Sequence, residues 1–502
     1  MSITLDVSAT PARDAKEGTD LSKHDEQSYG AEVTVCPIKL TAAQERRIWR
    51  RIDLRLMPII TIIYLLSFMD RGNIGNAKLD GLMTQLKLTG DKYNIALTAF
   101  MIPYSILEFP CNLVIQIWRP SRWIPTIMVL WGLSMTLMGF VKTYPQLVGA
   151  RVCLGVAEAG FYPGVAYYLT MWYPRYMYLY RVALFSGAAT MAGAFSGLLA
   201  YGINFMNGDG GLEGWSWIFI LEGLATVVVA LIAAVVMVDY PSTVKFLTEE
   251  ERSFVAQKRV EYGSQDEEDH VYEQVWAAFT DWQVWALSII ELSVIVPVYG
   301  ITFFLPTIIH NFGYNTSISQ LLTVPPYMLA TVVLLTFAHF SDKLQKRSPF
   351  VFASQLIALT GYVINISNAP SSVKYSGTFL CVIGSYSAFP GSISWLANNL
   401  GGRYKRAVGM AIQIGVGNMG GAIASNIYRT RDEPRYLLGH GLEIMFLSIG
   451  IVTLPFTVLA YQRINAKRDL AESSEHDSEE QEKKGGDIAL LGDRRASFRY
   501  TI

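Results

Sequence analysis

Met57-Pro58-Ile59-Ile60-Thr61-Ile62-Ile63-Tyr64-Leu65-Leu66-Ser67-Phe68-Met69-Asp70-Arg71-Gly72-Asn73-Ile74-Gly75-Asn76-Ala77 decides the fold. It is as long as the ~20 residues a helix needs to cross a bilayer core. It is apolar until it ends in two adjacent charges, Asp70 and Arg71, which a helix sets about 100° apart. Eleven further apolar runs of similar length follow, at about 93–116, 123–141, 147–171, 182–204, 216–238, 282–306, 319–340, 349–367, 375–397, 407–428 and 440–461. Numbered with the first, they are spans 1 to 12. The sixth and seventh are separated by a polar stretch, 239–280, with the run Gln265-Asp266-Glu267-Glu268-Asp269. Six spans, a charged linker and six spans is the layout of a transporter made of two similar halves. The fold expected is therefore all-α, a polytopic membrane protein of twelve transmembrane helices.

The composition agrees. Of 502 residues, 51% are hydrophobic and 17% charged, with a mean hydropathy of +0.28. A soluble chain carries about a quarter charged residues. A net charge of −1 gives no basic face for a nucleic-acid partner. Cys36, Cys111, Cys153 and Cys381 are too few for a disulfide framework, and three of them lie inside apolar runs as small packing residues.

Five segments follow. Residues 1–45 are a polar, disordered tail, 46–238 the first six-helix half, 239–280 the linker, 281–462 the second half, and 463–502 a second disordered tail. No apolar h-region follows Met1, so no cleavable signal peptide is expected and span 1 acts as its own insertion signal. With the N-terminus in the cytoplasm, the inner flanks and loops hold twenty-two Lys and Arg residues and the outer loops eight. Both tails and the linker are thus expected to be cytoplasmic, with the plasma membrane as the expected location. The sequon Asn315-Thr316-Ser317 falls in an outer loop, which makes Asn315 the candidate glycosylation site of a glycoprotein. In the second tail, Arg494-Arg495-Ala496-Ser497 offers Ser497 to a basophilic kinase, although a chance match in a polar tail reads as well.

Ionisable groups inside spans are the informative residues, because each is costly to place in hydrocarbon. Besides Asp70 and Arg71 there is span 4, where Arg151 and Glu158 are seven residues apart, on one face and about 10 Å apart in height. All four fall between the outer third and the midplane, which predicts a shared polar cavity. Pairing as Asp70–Arg151 or Arg71–Glu158, to hold helices together, is the structural alternative. Glu108 and Glu222 read equally as packing carboxyls or as functional groups. Glu291 in span 7 stands out because the second half has few charges, and His310 and His339 near span ends read as wetted interface residues. Gly193 and Gly197 in span 5, and Gly415, Gly417, Gly420 and Gly421 in span 11, permit close helix approach.

Several stretches carry a family resemblance. They are Asp70-Arg71-Gly72-Asn73-Ile74-Gly75-Asn76-Ala77, Phe109-Pro110-Cys111-Asn112-Leu113, Gly155-Val156-Ala157-Glu158-Ala159-Gly160-Phe161-Tyr162-Pro163-Gly164 and Trp217-Ile218-Phe219-Ile220-Leu221-Glu222-Gly223, with Phe304-Leu305-Pro306-Thr307-Ile308-Ile309, Pro325-Pro326-Tyr327 and Gly417-Asn418-Met419-Gly420-Gly421. From about Arg46 to Arg468 the chain resembles the anion:cation symporter family of the major facilitator superfamily, and in its spacing and long linker the fungal allantoate and nicotinate permeases. It departs after span 2, where the acidic loop motif is replaced by Gln116-Ile117-Trp118-Arg119-Pro120-Ser121-Arg122, whereas Ser341-Asp342-Lys343 and Arg347 remain after span 8. Gating salt bridges at the cytoplasmic side are thus expected mainly in the second half.

The resemblance implies proton-linked transport of a small organic anion: a vitamin carboxylate such as nicotinate, a ureide such as allantoate, or a sugar acid. It implies that Asp70 and Glu158 carry protons, that Arg71 and Arg151 bind the carboxylate, and that Tyr104 and Asn418 contact substrate. With Asp70 and Glu158 ionised the cavity is roughly neutral; with both protonated, two arginines are left to attract an anion. Proton and anion then bind cooperatively. Export of a secondary metabolite on the same fold and a non-transporting membrane sensor are the alternatives. The partners expected are the anion, protons and the lipid bilayer, with the chain acting as a monomer. No metal site, cofactor or enzymatic activity is expected, since no His-Glu-x-x-His, Gly-x-Ser-x-Gly or carboxylate–histidine cluster occurs.

Overall fold

The computed structural model describes residues 40–261, 271–475, 493 and 498–502. Each expected span is a helix or two abutting helices. In the first half, span 1 is Ala42–Ala77, span 2 Lys92–Ile117, span 3 Pro120–Met138 and span 6 Gly214–Val236. Span 4 is Tyr144–Glu158 followed by Phe161–Trp172, and span 5 is Arg175–Ser186 followed by Ala188–Asn204. In the second half, span 7 is Trp282–His310, span 8 Thr316–Leu321 followed by Val324–Leu344, span 9 Ser348–Ile366, span 10 Ser371–Asn399, span 11 Arg403–Ala424 and span 12 Leu437–Glu475. Two linker helices, Glu249–Glu261 and Val271–Thr280, lie between the halves in sequence. Among the described residues there is no strand, and nine helical stretches are long and apolar enough to cross a membrane.

Span 1 begins fifteen residues before its apolar run. Thr41 caps it, with Gln44 N donating to Thr41 Oγ1 at 3.4 Å and Thr41 N donating to Gln44 Oε1 at 2.9 Å. Its polar first turns bury Ile48, Trp49, Ile52 and Leu56 and turn their arginines outward, a one-sided pattern that an apolar-run count misses. The break in span 4 leaves Glu158 as the last residue of the first segment. At Gly160 any Cβ would press on Cys111 and the Trp123 ring, so the chain passes there only as glycine.

Across the halves, span 1 packs on span 7, span 2 on span 11 and span 5 on span 8. The glycine stripes are the close approaches. A Cβ at Gly193 would enter the Tyr327 ring of span 8, and one at Gly197 would strike Thr323. In span 11, Gly417 and Gly420 lie against span 7 and Gly421 against Met101 of span 2, while Gly415 faces open space.

Most Lys and Arg of the loops and span ends lie at one end of the bundle, the basic end. There the expected disordered tail 463–502 is corrected at both its extremities. Span 12 continues as helix to Glu475, and residues 498–502 return to pack under the second half. Trp395 Nε1 donates to Thr501 O at 2.9 Å, Asn399 Nδ2 to the same oxygen at 3.0 Å, and Thr501 N to Asn399 Oδ1 at 2.7 Å. The Tyr500 ring stacks on Tyr461, and Arg468 lies over it at 4.7 Å. Polar composition alone did not reveal this, because the tail is held by hydrogen bonds to groups far away in sequence. Ser497 lies outside the described residues. Asn399→Ala removes both halves of the reciprocal bond to Thr501 and leaves buried groups unpaired, a cost of about 1–3 kcal/mol. A lower thermal unfolding midpoint of the purified protein is the expected result.

Candidate functional site

A cavity between the halves encloses about 480 Å³ of atom-free space, including space open to solvent. From the first half Phe68, Arg71 and Tyr104 line it, and from the second Glu291, Tyr299 and Asn418. Among the described residues Arg71 is the only cation in that wall. It is 3% exposed and fully engaged: Nε and Nη2 each lie 2.7 Å from Glu158 Oε1, and Nη1 donates to Tyr299 OH at 2.9 Å. The Tyr104 ring faces its guanidinium at 4.5 Å and the Phe68 ring at 5.3 Å, the geometry of cation–π attraction. Ser67 Oγ also donates to Glu158 Oε1, at 2.5 Å, whereas Glu158 Oε2 has no partner.

The four charges do not share one cavity as expected. Of the two pairings considered, Arg71–Glu158 forms and Asp70–Arg151 does not. Asp70 turns into the first half, where Oδ2 accepts from Trp131 Nε1 at 3.0 Å and from Thr226 Oγ1 at 3.1 Å, and Oδ1 has no partner. The cause is the helical offset of about 100° between neighbours: once Arg71 faces the cavity, Asp70 must face spans 3 and 6. Arg151 is 1% exposed and off the cavity wall, with Nε and Nη2 unpartnered. Its charged neighbours are Glu158 and Asp70.

The undecided carboxyls separate. Glu108 Oε2 accepts from Asn418 Nδ2 at 2.7 Å, joining span 2 to span 11 across the halves. Glu291 lines the cavity and accepts from Ser392 Oγ at 2.5 Å. Glu222 accepts from Asn73 Nδ2 at 2.5 Å, and Asn73 Oδ1 accepts from Ser196, so this carboxyl ties spans 1, 5 and 6 together. His339 is exposed beside Phe340, and His310 is partly exposed at the end of span 7. Asn315 is exposed and caps the helix Thr316–Leu321, its Oδ1 accepting from Ile318 N at 2.9 Å.

Sequence reasoning missed Tyr299 and Glu443. Tyr299 carries no charge and was indistinguishable from other span tyrosines until Arg71 reached it. Glu443 in span 12 is fully buried with both carboxyl oxygens unpartnered. The cost of an intramembrane charge, applied to Gly441-Leu442-Glu443-Ile444, would have found it.

At the end opposite the basic one, polar contacts join the halves. Lys78 Nζ lies 3.6 Å from Glu433 Oε1, Gln320 Nε2 donates to Asp80 Oδ2 at 2.6 Å, and Asn94 Nδ2 donates to Ser425 O at 2.6 Å. At the basic end the described ion pairs stay within one half or tie it to the linker or the C-terminal tail. Arg181–Asp53 at 2.8 Å belongs to the first half, Arg51–Glu251 at 2.9 Å ties span 1 to the linker, and Arg347–Asp342 belongs to the second half. Both halves carry described ion pairs at the basic end, the first with Arg181–Asp53 and Arg51–Glu251 and the second with Arg347–Asp342, Lys405–Asp281 and Lys405–Asp493.

Twelve helices in two halves, with a charged cavity at their interface, define a multi-pass membrane transporter rather than an enzyme. The sequence pattern of the Major Facilitator Superfamily matches residues 60–425, and the chain belongs to that superfamily. It is 32% identical over 467 residues to an uncharacterized transporter of Schizosaccharomyces pombe, covering 92% of each chain. It is 30% identical over 425 residues to the high-affinity nicotinic acid transporter of Saccharomyces cerevisiae, covering 84% of this chain and 79% of that one. Among solved structures, a bacterial homolog of the human lysosomal transporter Spinster aligns with TM-score 0.61 at 15% identity, over 81% of this chain and 96% of that one. The xylose transporter XylE of E. coli aligns with TM-score 0.57 at 14% identity, over 80% and 98%.

Proposed function

We propose that this transporter carries a small organic anion inward together with protons, by alternating access, as a monomer in the plasma membrane with its basic end in the cytoplasm. The observation that carries the reading is Arg71, a cation in the cavity wall, bound to Glu158. While Glu158 is ionised, Arg71 is neutralised in place. A proton on Glu158 removes that partner and leaves the guanidinium to hold a substrate carboxylate between Tyr104 and Asn418. Each ligand then strengthens binding of the other, which is the thermodynamic content of symport. Asp70 is the second proton site in this reading. Arg151, buried beside Glu158 with open donors, takes the carboxylate or orients it when the halves move. The yeast relative named for nicotinic acid supports a carboxylate cargo.

The test is uptake of a radiolabelled panel (nicotinate, allantoate, hexuronates and neutral analogues) into proteoliposomes at two external pH values. Accumulation of at least one carboxylate, increasing with the inward proton gradient, is expected. Uptake confined to neutral compounds, or unaffected by the gradient, would overturn the reading.

A further inference from the structure

The second linker helix, Val271–Thr280, has two unlike faces. Gln274 and Ala278 are buried, and Gln274 Oε1 accepts from Tyr404 N at 3.2 Å, so this face is packed against the start of span 11. On the opposite face Tyr272, Trp276 and Phe279 follow one another at i, i+4 and i+7, within about 60° of arc. They are 79%, 61% and 46% exposed. The stripe runs on into span 7 through Trp282 and Trp285, both nearly half exposed. Trp285 Nε1 donates to Phe279 O at 2.7 Å, which fixes the end of the linker helix against the first turn of the span.

Single exposed apolar side chains need no explanation, but a contiguous row of five aromatics does. Its chemistry is specific. Tyr and Trp join an apolar ring to a polar tip, and they concentrate where hydrocarbon meets water at both faces of a bilayer. Its position is specific as well, because it continues the exposed flank of the first turns of span 7, formed by Trp282, Trp285 and Ile289. We infer that Val271–Thr280 is an interfacial anchor: its aromatic stripe lies in the headgroup and upper acyl layer at the basic end, and its partner is lipid. Seated there, the helix holds the starts of spans 7 and 11 at a fixed depth, since its other face is bonded to span 11 and its end to span 7. The inference depends only on the chain's crossing a membrane, not on its cargo or coupling ion.

The test uses the full chain with its native cysteines replaced by alanine, reconstituted in phosphatidylcholine/phosphatidylglycerol liposomes. Spin labels are attached at Tyr272→Cys, Trp276→Cys and, as an aqueous control, Glu249→Cys, an exposed position in the other linker helix. Relaxation by oxygen is expected to exceed relaxation by a water-soluble nickel chelate several-fold at 272 and 276, with the reverse order at 249. Dominance of the nickel chelate at 272 and 276 would put the stripe in water, and protection from both reagents would mean that protein covers it; either overturns the inference. A second measurement leaves the cysteines in place. Bromine on the upper acyl chain should quench a component of tryptophan fluorescence that Trp276→Phe removes, and an unchanged quenched fraction in that variant would count equally against the anchor.

Discussion

Glu158→Gln is expected to abolish uphill accumulation while sparing exchange of substrate for substrate. The amide is nearly isosteric with the carboxyl, and its oxygen still accepts from Ser67 and Arg71, so the local packing survives. What disappears is the titratable negative charge opposite Arg71. The guanidinium is then permanently in the state that protonation produces transiently, and substrate binds without a proton. An inward gradient of one pH unit supplies about 1.4 kcal/mol per coupled proton, or about a tenfold concentration ratio. In the variant that ratio should fall to about one, with counterflow persisting at a rate comparable to the wild type. Proteoliposome uptake with and without an imposed gradient separates the two outcomes. A variant that still concentrates substrate with undiminished pH dependence would leave Glu158 only its structural role.

Lys405→Met carries the largest expected loss of stability. Lys405 is buried at the start of span 11, with Nζ 2.5 Å from Asp281 Oδ2 and 2.6 Å from Asp493 Oδ1. Asp281 is 4% and Asp493 1% exposed. Methionine fills a similar volume but leaves two buried carboxylates with no cation between them. Breaking a buried pair in this way costs about 3–5 kcal/mol, because an uncompensated charge stays buried. Among the described residues, the donors left to the Asp493 carboxylate would be neutral, Gln283 Nε2 at 3.3 Å and Tyr500 OH at 3.2 Å. Asp493→Asn should cost less than Lys405→Met, since Asp281 still neutralises the lysine. Thermal unfolding of the purified variants at neutral pH should rank them in that order. Equal midpoints for wild type and Lys405→Met would show that the cluster contributes nothing.

The first stretch read, Met57 to Ala77, already contained the fold. An apolar run of bilayer length is a one-dimensional signal, because most side chains facing lipid or the bundle core are apolar whatever their neighbours are. Span count, the division into halves and the identity of the intramembrane charges therefore follow from composition along the chain. The tightness of Gly193 and Gly197 was legible for the same reason: a missing side chain is visible in the sequence. Its partner was not, since Tyr327 lies in the other half.

The site divides along the same line. The sequence by itself determined that Asp70, Arg71, Arg151 and Glu158 are exceptional, because the cost of placing a charge in hydrocarbon belongs to each residue singly. Only the tertiary structure decided that Arg71 meets Glu158 and Tyr299, that Asp70 turns away to Trp131 and Thr226, and that Asp493 and Thr501 return from a polar tail to close the basic end of the second half. Those outcomes depend on helix rotation and on contacts between residues tens to hundreds of positions apart. A rotation of one residue, about 100°, would turn Asp70 to the face that Arg71 now takes, and the charge pattern along the chain is the same for either rotation.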